Sequence, residues 1–228
     1  MKFLIQTIDG KVKHDFSFIL LESIEYNNWL RNEEVFQVSF TDYEMIPNCI
    51  PIGSVEFVSK YIKEYYGIEI KPKNIPIELI DRKWTNRIVI NGTEKDIIGE
   101  KFVKSNDKIK SFTEICKSAP AGNYQISDVI SIQSEWRAFV YKKKLVGLQN
   151  YSGRFDIFPN VEKIEEMIYY YTNQPVAYTL DIGISLGETV IIAVHDFFSC
   201  GLYGFCDHKI LPYMFSNWFY SFIGKINY

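Results

Sequence analysis

The chain has 228 residues, roughly one and a half average domains, and 47% of them are hydrophobic, which excludes a disordered chain. Lys and Arg number 25 against 28 Asp and Glu, a net charge of −3, so a nucleic-acid partner is not expected. No window approaches the ~18 unbroken apolar residues of a membrane span, so no membrane partner is expected either. The opening stretch from Met1 to Gly10 turns polar too soon for a signal peptide. Cys49, Cys116, Cys200 and Cys206 are irregularly spaced, and the expectation is a cytoplasmic protein with reduced thiols.

Taken in chain order, residues 3–8 alternate as a strand that ends in an Asp9-Gly10 turn. Ser17 reads as the cap of a helix over 17–31, with Leu20, Leu21, Ile24 and Trp29 at helical intervals. Val35 to Phe40 is strand-like, and 46–53, with Pro47, Asn48 and Pro51, reads as a turn-rich loop. Ser54 caps a second helix carrying Val55, Val58, Tyr61, Ile62 and Tyr65, and Gly67 ends it. Pro72 and Pro76 punctuate a linker, which divides the chain into a small α/β domain (1–75) and a second domain (76–228).

The second part is denser in strand signal. Lys101 to Lys104 is a short strand, and 136–141 with 145–151 form a hairpin across a lysine-rich turn. Asn160 precedes a helix whose early turns carry Glu162, Glu165 and Glu166, where the helix dipole favours acids. Tyr178–Ile184 and Thr189–His195 are strands joined by Leu186-Gly187-Glu188, and Leu211 to Ile223 has Met214, Trp218 and Phe222 at helical spacing.

Three local groups can carry chemistry. The first is a lysine-ended strand, Phe102-Val103-Lys104, followed by a loop with Lys108 and Lys110; such lysines converge on phosphates as mobile point charges, or else form a solvated basic loop. The second is Glu135-Trp136-Arg137. An arginine inside an apolar strand must be paired, for example with a glutamate, or lie in a cleft. The third is Asp181 on one strand and Ala193-Val194-His195-Asp196 at the end of the next; neighbouring carboxylates repel unless a cation such as Mg²⁺ lies between them, and the alternative is a set of turn residues. His195, Cys200, Cys206 and His208 invite a zinc reading, but no CxxC or HxxxH spacing is present and the intervening residues are apolar.

The order of these groups resembles the ATP-grasp superfamily, and most closely the RimK-like branch of small phage and bacterial proteins defined by one arginine and two lysines. Residues 51–58 and Asn74-Ile75-Pro76 resemble the short domain that precedes the ATP-grasp domain in these proteins. Phe102-Val103-Lys104 with Lys110-Ser111-Phe112-Thr113 resembles their "FVKP…KxFTG" segment, and 135–140, 151–153, 177–183 and 199–204 continue the pattern. The resemblance implies an α+β chain with two α/β lobes clasping ATP. It implies an ATP- and Mg²⁺-dependent ligase that joins a carboxylate to an amine through an acyl phosphate, acting on a peptide, protein or amino-acid-like substrate. On this resemblance Lys104 and Lys110 hold the nucleotide phosphates, with Arg87 as a further candidate. Gln125 to Val129 form the adenine–ribose hinge, with Asp128 on the ribose. Arg137 neutralises the transferring phosphoryl group.

Asp181 and the end of the following strand (Ala193, His195, Asp196) correspond to the Mg²⁺ site. In the family a metal-bridging Glu follows the Asp after 12 positions and an Asn two further on; here those positions are Ala193 and His195. Three accounts stay open: a degenerate ATP-grasp protein that binds nucleotide or a protein partner without turnover, a different metal site with Asp181 and Asp196 sharing one ion, or a Glu→Ala substitution introduced at 193. Ser105 also stands where the pattern has Pro.

Overall fold

A computed structural model describes residues 1–109 and 111–224. It divides into two compact units, one of Met1–Glu69, Pro175–Ala177 and the residues from Asp196 onward, the other of Ile70–Gln174 and Tyr178–His195. No helix among the described residues is long and apolar enough to cross a membrane.

The first unit begins with Phe3, Leu4 and Ile5, all fully buried. A strand without alternation needs cover on both faces, as in parallel sheets. Strand β1 (Lys2–Gln6) is indeed central. Helix α1 (Asp15–Arg31) leads to β2 (Gln37–Thr41), and β3 (Ile50–Ile52) precedes helix α2 (Val55–Tyr66). Both β2 and β3 pair with β1 in parallel, with Phe3 opposite Val38 and Ile50. The expected loop at 46–53 therefore contains a strand. Pro51 is tolerated because β3 lies at the sheet edge. Ser17 is not a cap: α1 starts at Asp15, whose carboxylate suits the positive helix end, and Ser17 lies buried with its Oγ unpartnered. Ser54 does cap α2, its Oγ accepting from the Phe57 amide at 3.2 Å, and Gly67 closes it at φ +68°.

The second unit contains a short helix α3 (Arg82–Thr85) and a four-stranded antiparallel sheet made by β4 (Val89–Thr93), β5 (Lys101–Ser105), β6 (Thr113–Cys116) and β7 (Asn123–Ser127), in the order β4-β7-β5-β6. The strands β8 (Ser134–Tyr141) and β9 (Lys144–Gly153), helix α4 (Val161–Tyr170), and strands β10 (Ala177–Ser185) and β11 (Glu188–Asp196) follow. They form a second sheet in the order β11-β10-β8-β9. Lys142 and Lys143, at φ +49° and +62°, turn the β8–β9 hairpin as a two-residue primed turn.

Alternation assigns the two faces of this sheet. Trp136, Ala138 and Val140 on β8 and Tyr178, Leu180 and Ile182 on β10 pack with Ile164, Met167 and Ile168 of α4 in one core. Successive strand residues point to opposite faces, so Glu135, Arg137 and Asp181 turn away from α4. The polar residues of both strands thus share the face that the helix does not cover.

After β11 the chain packs with the first unit through its last helix, α5 (Leu211–Phe222), whereas the sequence division puts 196–228 with the second part. Tyr213 meets Phe36 edge-on at 5.1 Å, Ser199 Oγ donates to the Gly53 carbonyl at 2.6 Å, and Asn27 donates to the His208 carbonyl. These contacts are long-range in sequence, and a composition-based boundary has no view of them.

Gly153 ends β9 at φ +71°, and a Cβ there would lie 2.4 Å from the Gln133 carbonyl oxygen. Gly153→Ala is expected to lower stability by more than ~1 kcal/mol in urea unfolding, because Ala meets both a left-handed backbone and a backbone clash.

Candidate active site

Arg137 and Asp181 face each other across the neighbouring strands β8 and β10. Arg137 Nε donates to Asp181 Oδ1 at 2.7 Å and its NH2 to Oδ2 at 2.9 Å, a bidentate pair with both side chains more than nine-tenths buried. The structure does not form the expected Arg–Glu pair: Arg137 pairs with Asp181, and Glu135 with Tyr151. His195 Nε2 also lies 3.1 Å from Asp181 Oδ2. Burial alone would raise the Asp181 carboxyl, but the hydrogen bonds from His195 and Arg137 and their charges overcome it and hold it well below the usual carboxylate range.

His195 reaches Asp181 because the alternation of β11 is interrupted. Ile191 and Val194 both enter the α4-covered core, although three positions apart on a strand. Ile192 lies over Gly183, on the Asp181 side of the sheet, and His195 is on that side as well. The residue at 193 is Ala, fully buried, so no carboxylate stands at that position.

The neighbouring strand pair adds a second polar couple. Glu135 pairs with Ser152 and Trp136 with Asn150, which leaves Tyr151 as the extra residue of a bulge. Bulges re-aim side chains. The Tyr151 hydroxyl donates to Glu135 Oε2 at 2.6 Å, and its ring lies 5.7 Å from the Arg137 guanidinium carbon. Burial, with Asp181 and Glu135 nearby, pushes the Tyr151 hydroxyl far up, so it stays a proton donor. Tyr151 is the residue of this group for which the sequence gives no signal beyond its place in the Tyr-Ser-Gly triplet.

Lys104 projects from β5, its Nζ 5.6 Å from the Phe102 ring. Burial lowers its pKa, and the charges of Asp181, Arg87, Glu135 and Arg137 all act on it, which places the five side chains in one electrostatic neighbourhood. Arg87 is buried and its NH1 donates to the Thr85 and Ile191 carbonyls at 3.0 and 3.2 Å. Burial lowers its pKa to about 10, which leaves it charged at neutral pH.

The proposed hinge residues are differently occupied. Gln125 is buried and mimics a strand partner for Ile75, accepting from its amide and donating to its carbonyl, both at 2.9 Å. Asp128 accepts from Lys101 Nζ at 2.6 Å and from the Ile88 amide at 3.0 Å, hydrogen bonds that lower its pKa. Val129 is exposed. Asp196 is buried in the first unit and accepts from Trp218 Nε1 at 3.1 Å. Lys110 lies outside the described residues.

Among the described residues no group of three or more His, Cys, Asp and Glu could hold a metal ion. The donor set does not fit Mg²⁺, which demands oxygen ligands in octahedral geometry. Both Asp181 oxygens are committed to Arg137 and His195, and Ala193 supplies none. His208 is likewise engaged, with Ser23 Oγ at 2.9 Å from its Nδ1.

A family model described as ATP-grasp domain, R2K clade family 2, matches residues 85–212, more than half of the chain. No curated protein matches the chain in sequence. Among solved structures, a RimK domain protein ATP-grasp from Sphaerobacter thermophilus DSM 20745 is similar with TM-score 0.57 at 9% identity, over 96% of this chain and 100% of that one. D-alanine–D-alanine ligase from Bacillus anthracis complexed with ATP is similar with TM-score 0.54 at 10% identity, over 100% of this chain and 99% of that one. The ATP-grasp ligase PsnB complexed with minimal precursor is similar with TM-score 0.51 at 10% identity, over 96% and 97%.

Removing one partner of the Arg137–Asp181 pair strands a buried charge, so Arg137→Met or Asp181→Leu is expected to cost about 3–5 kcal/mol in urea unfolding, and the double variant less than the sum. Because the folded pKa of Asp181 is depressed, its contribution is fully present above the unfolded carboxylate pKa of ~3.9 and is lost as pH falls through the lower folded value. Acid titration of stability in wild type and Asp181→Asn checks the sign.

Proposed function

The chain belongs to R2K clade family 2 of the ATP-grasp domains and has the α+β ATP-grasp fold, and from that premise we propose that it is an ATP-dependent carboxylate–amine ligase. The observation that carries the proposal is the convergence of Lys104, Arg87 and Arg137 on one neighbourhood that also holds Asp181. Three buried or half-buried cations around two carboxylates leave an excess of positive charge, and a polyphosphate answers it.

In this reading a substrate carboxylate oxygen attacks the γ-phosphorus of ATP, the bond to the β-phosphate oxygen breaks, and ADP leaves. The acyl phosphate then takes an amine at its carbonyl carbon and releases phosphate. Little covalent work falls to the protein; positioning and charge neutralisation do most of it. Lys104 holds phosphate oxygens, the role that the family resemblance also gives to Lys110. In this reading the Arg137 guanidinium, gripped by Asp181 through Nε and NH2, supplies its charge beside the transferring phosphoryl group. The strands and helices β1 to α2 are, in this reading, the small α/β domain that precedes an ATP-grasp domain. The substrates proposed are a peptide, protein or amino-acid-like carboxylate and an amine; the name of D-alanine–D-alanine ligase supports the amino-acid-like class.

A second reading, a nucleotide-binding or protein-interaction module without turnover, is favoured by one observation: fully buried Ala193 stands where the family resemblance implies a carboxylate. A glutamate restored there enters a closed position, so Ala193→Glu is expected to lower stability by at least ~1–3 kcal/mol before it restores any chemistry.

ATP at 100 times its Kd is expected to stabilise the folded chain by about 2.7 kcal/mol, at roughly 2–4 °C of Tm per kcal/mol. Thermal melting with and without ATP checks this. Lys104→Ala, at a half-buried position, is the cleaner variant because Arg137→Ala also strands Asp181; it is expected to remove most of the shift. No shift at millimolar ATP contradicts the ligase and the nucleotide-binding module, and ADP release on adding acid and amine separates the ligase from the module.

A further inference from the structure

The carboxylates of the site are already answered by protein groups. Asp181 gives one oxygen to Arg137 Nε and the other to both Arg137 NH2 and His195 Nε2. Glu135 Oε2 takes the Tyr151 hydroxyl at 2.6 Å. A divalent ion seated on Asp181 competes with the buried Arg137 fork and the imidazole for the carboxylate, and it meets the charge of the guanidinium at bidentate distance. On the same side, hydrogen bonds hold Arg87 and Arg137 in place, and Lys104 stands beside Phe102 where the charges of both arginines reach it.

We propose that this chain binds the polyphosphate of a nucleotide through its own cations, with no divalent ion held by Asp181, and that Asp181 is a positioning residue for Arg137 and His195. The inference rests on the ATP-binding reading above and deepens it: the preferred ligand is a nucleoside triphosphate whether or not a metal accompanies it. Arg137 and His195 occupy Asp181 from two sides, and together they satisfy the carboxylate without an ion. The exposed edge of His195 leaves room for a phosphate oxygen beside the imidazole.

The test is titration calorimetry of ATP into the full chain, in buffer with excess Mg²⁺ and in buffer with EDTA. The expected result is a Kd that agrees within about threefold between the two buffers. A Kd at least tenfold weaker in EDTA overturns the inference and leaves the ATP-binding reading intact. Binding in neither buffer overturns that reading and the inference with it. His195→Glu supplies the converse. It sets a second carboxylate beside Asp181 at a partly exposed position, so its ATP affinity is expected to fall at least tenfold in EDTA and to recover with Mg²⁺. A His195→Glu protein as indifferent to Mg²⁺ as wild type contradicts the placement of His195 against Asp181. Mn²⁺ alone, followed by electron paramagnetic resonance, is expected to remain free in wild type at micromolar protein; a bound signal lost in Asp181→Asn overturns the assignment of Asp181.

Discussion

A guanidinium buried inside an apolar sheet has to be answered by a carboxylate, and much of this site follows from the answer Arg137 receives. The even positions of β8 and β10 fill the core against α4, which commits the odd positions to the opposite face. Arg137 and Asp181 meet there at bidentate distance. Such a pair gains little net stability over an apolar substitute, because desolvation offsets most of the attraction. What it supplies is orientation: the planar fork is held at one angle on a rigid sheet, as electrostatic recognition of a phosphoryl group requires.

Two departures from regular strand geometry complete the arrangement. The bulge in β9 frees Tyr151 from pairing and aims its hydroxyl at Glu135. The interrupted alternation in β11 sends Val194 into the core and leaves His195 beside Asp181. Each costs ladder regularity, and each brings a polar group to the face where Lys104 also feels Asp181, Glu135, Arg87 and Arg137. Irregularity concentrates where chemistry is expected, a common pattern near active sites.

Much of the fold is legible in the sequence because local physics decides it. Ser54 and Gly67 bracket α2 by capping and by a left-handed backbone, and the lysine turn between β8 and β9 follows from its flanking strands. The residues 46–53 hide β3 because two prolines mask a strand whose register comes from β1, a partner distant in sequence. The return of the described residues from 196 to 224 to the first unit is equally non-local. At the site, an arginine within an apolar strand announces that it needs a partner, but only the pairing of β8 with β10 selects Asp181 over Glu135. Gln125 and Asp128 look free for a ligand in the sequence, yet Ile75 and Lys101 occupy them. A metal reading of Asp181, Ala193 and His195 assumes unbroken alternation along β11, which the core positions of Ile191 and Val194 break.

The central claim is that Lys104 faces a nucleotide polyphosphate. Brief acetylation followed by peptide mass spectrometry reads the exposure of its amine directly. The account predicts that saturating ATP cuts labelling of Lys104 at least tenfold while Lys63, exposed on α2, is labelled as before. Equal labelling of Lys104 with and without ATP would contradict it.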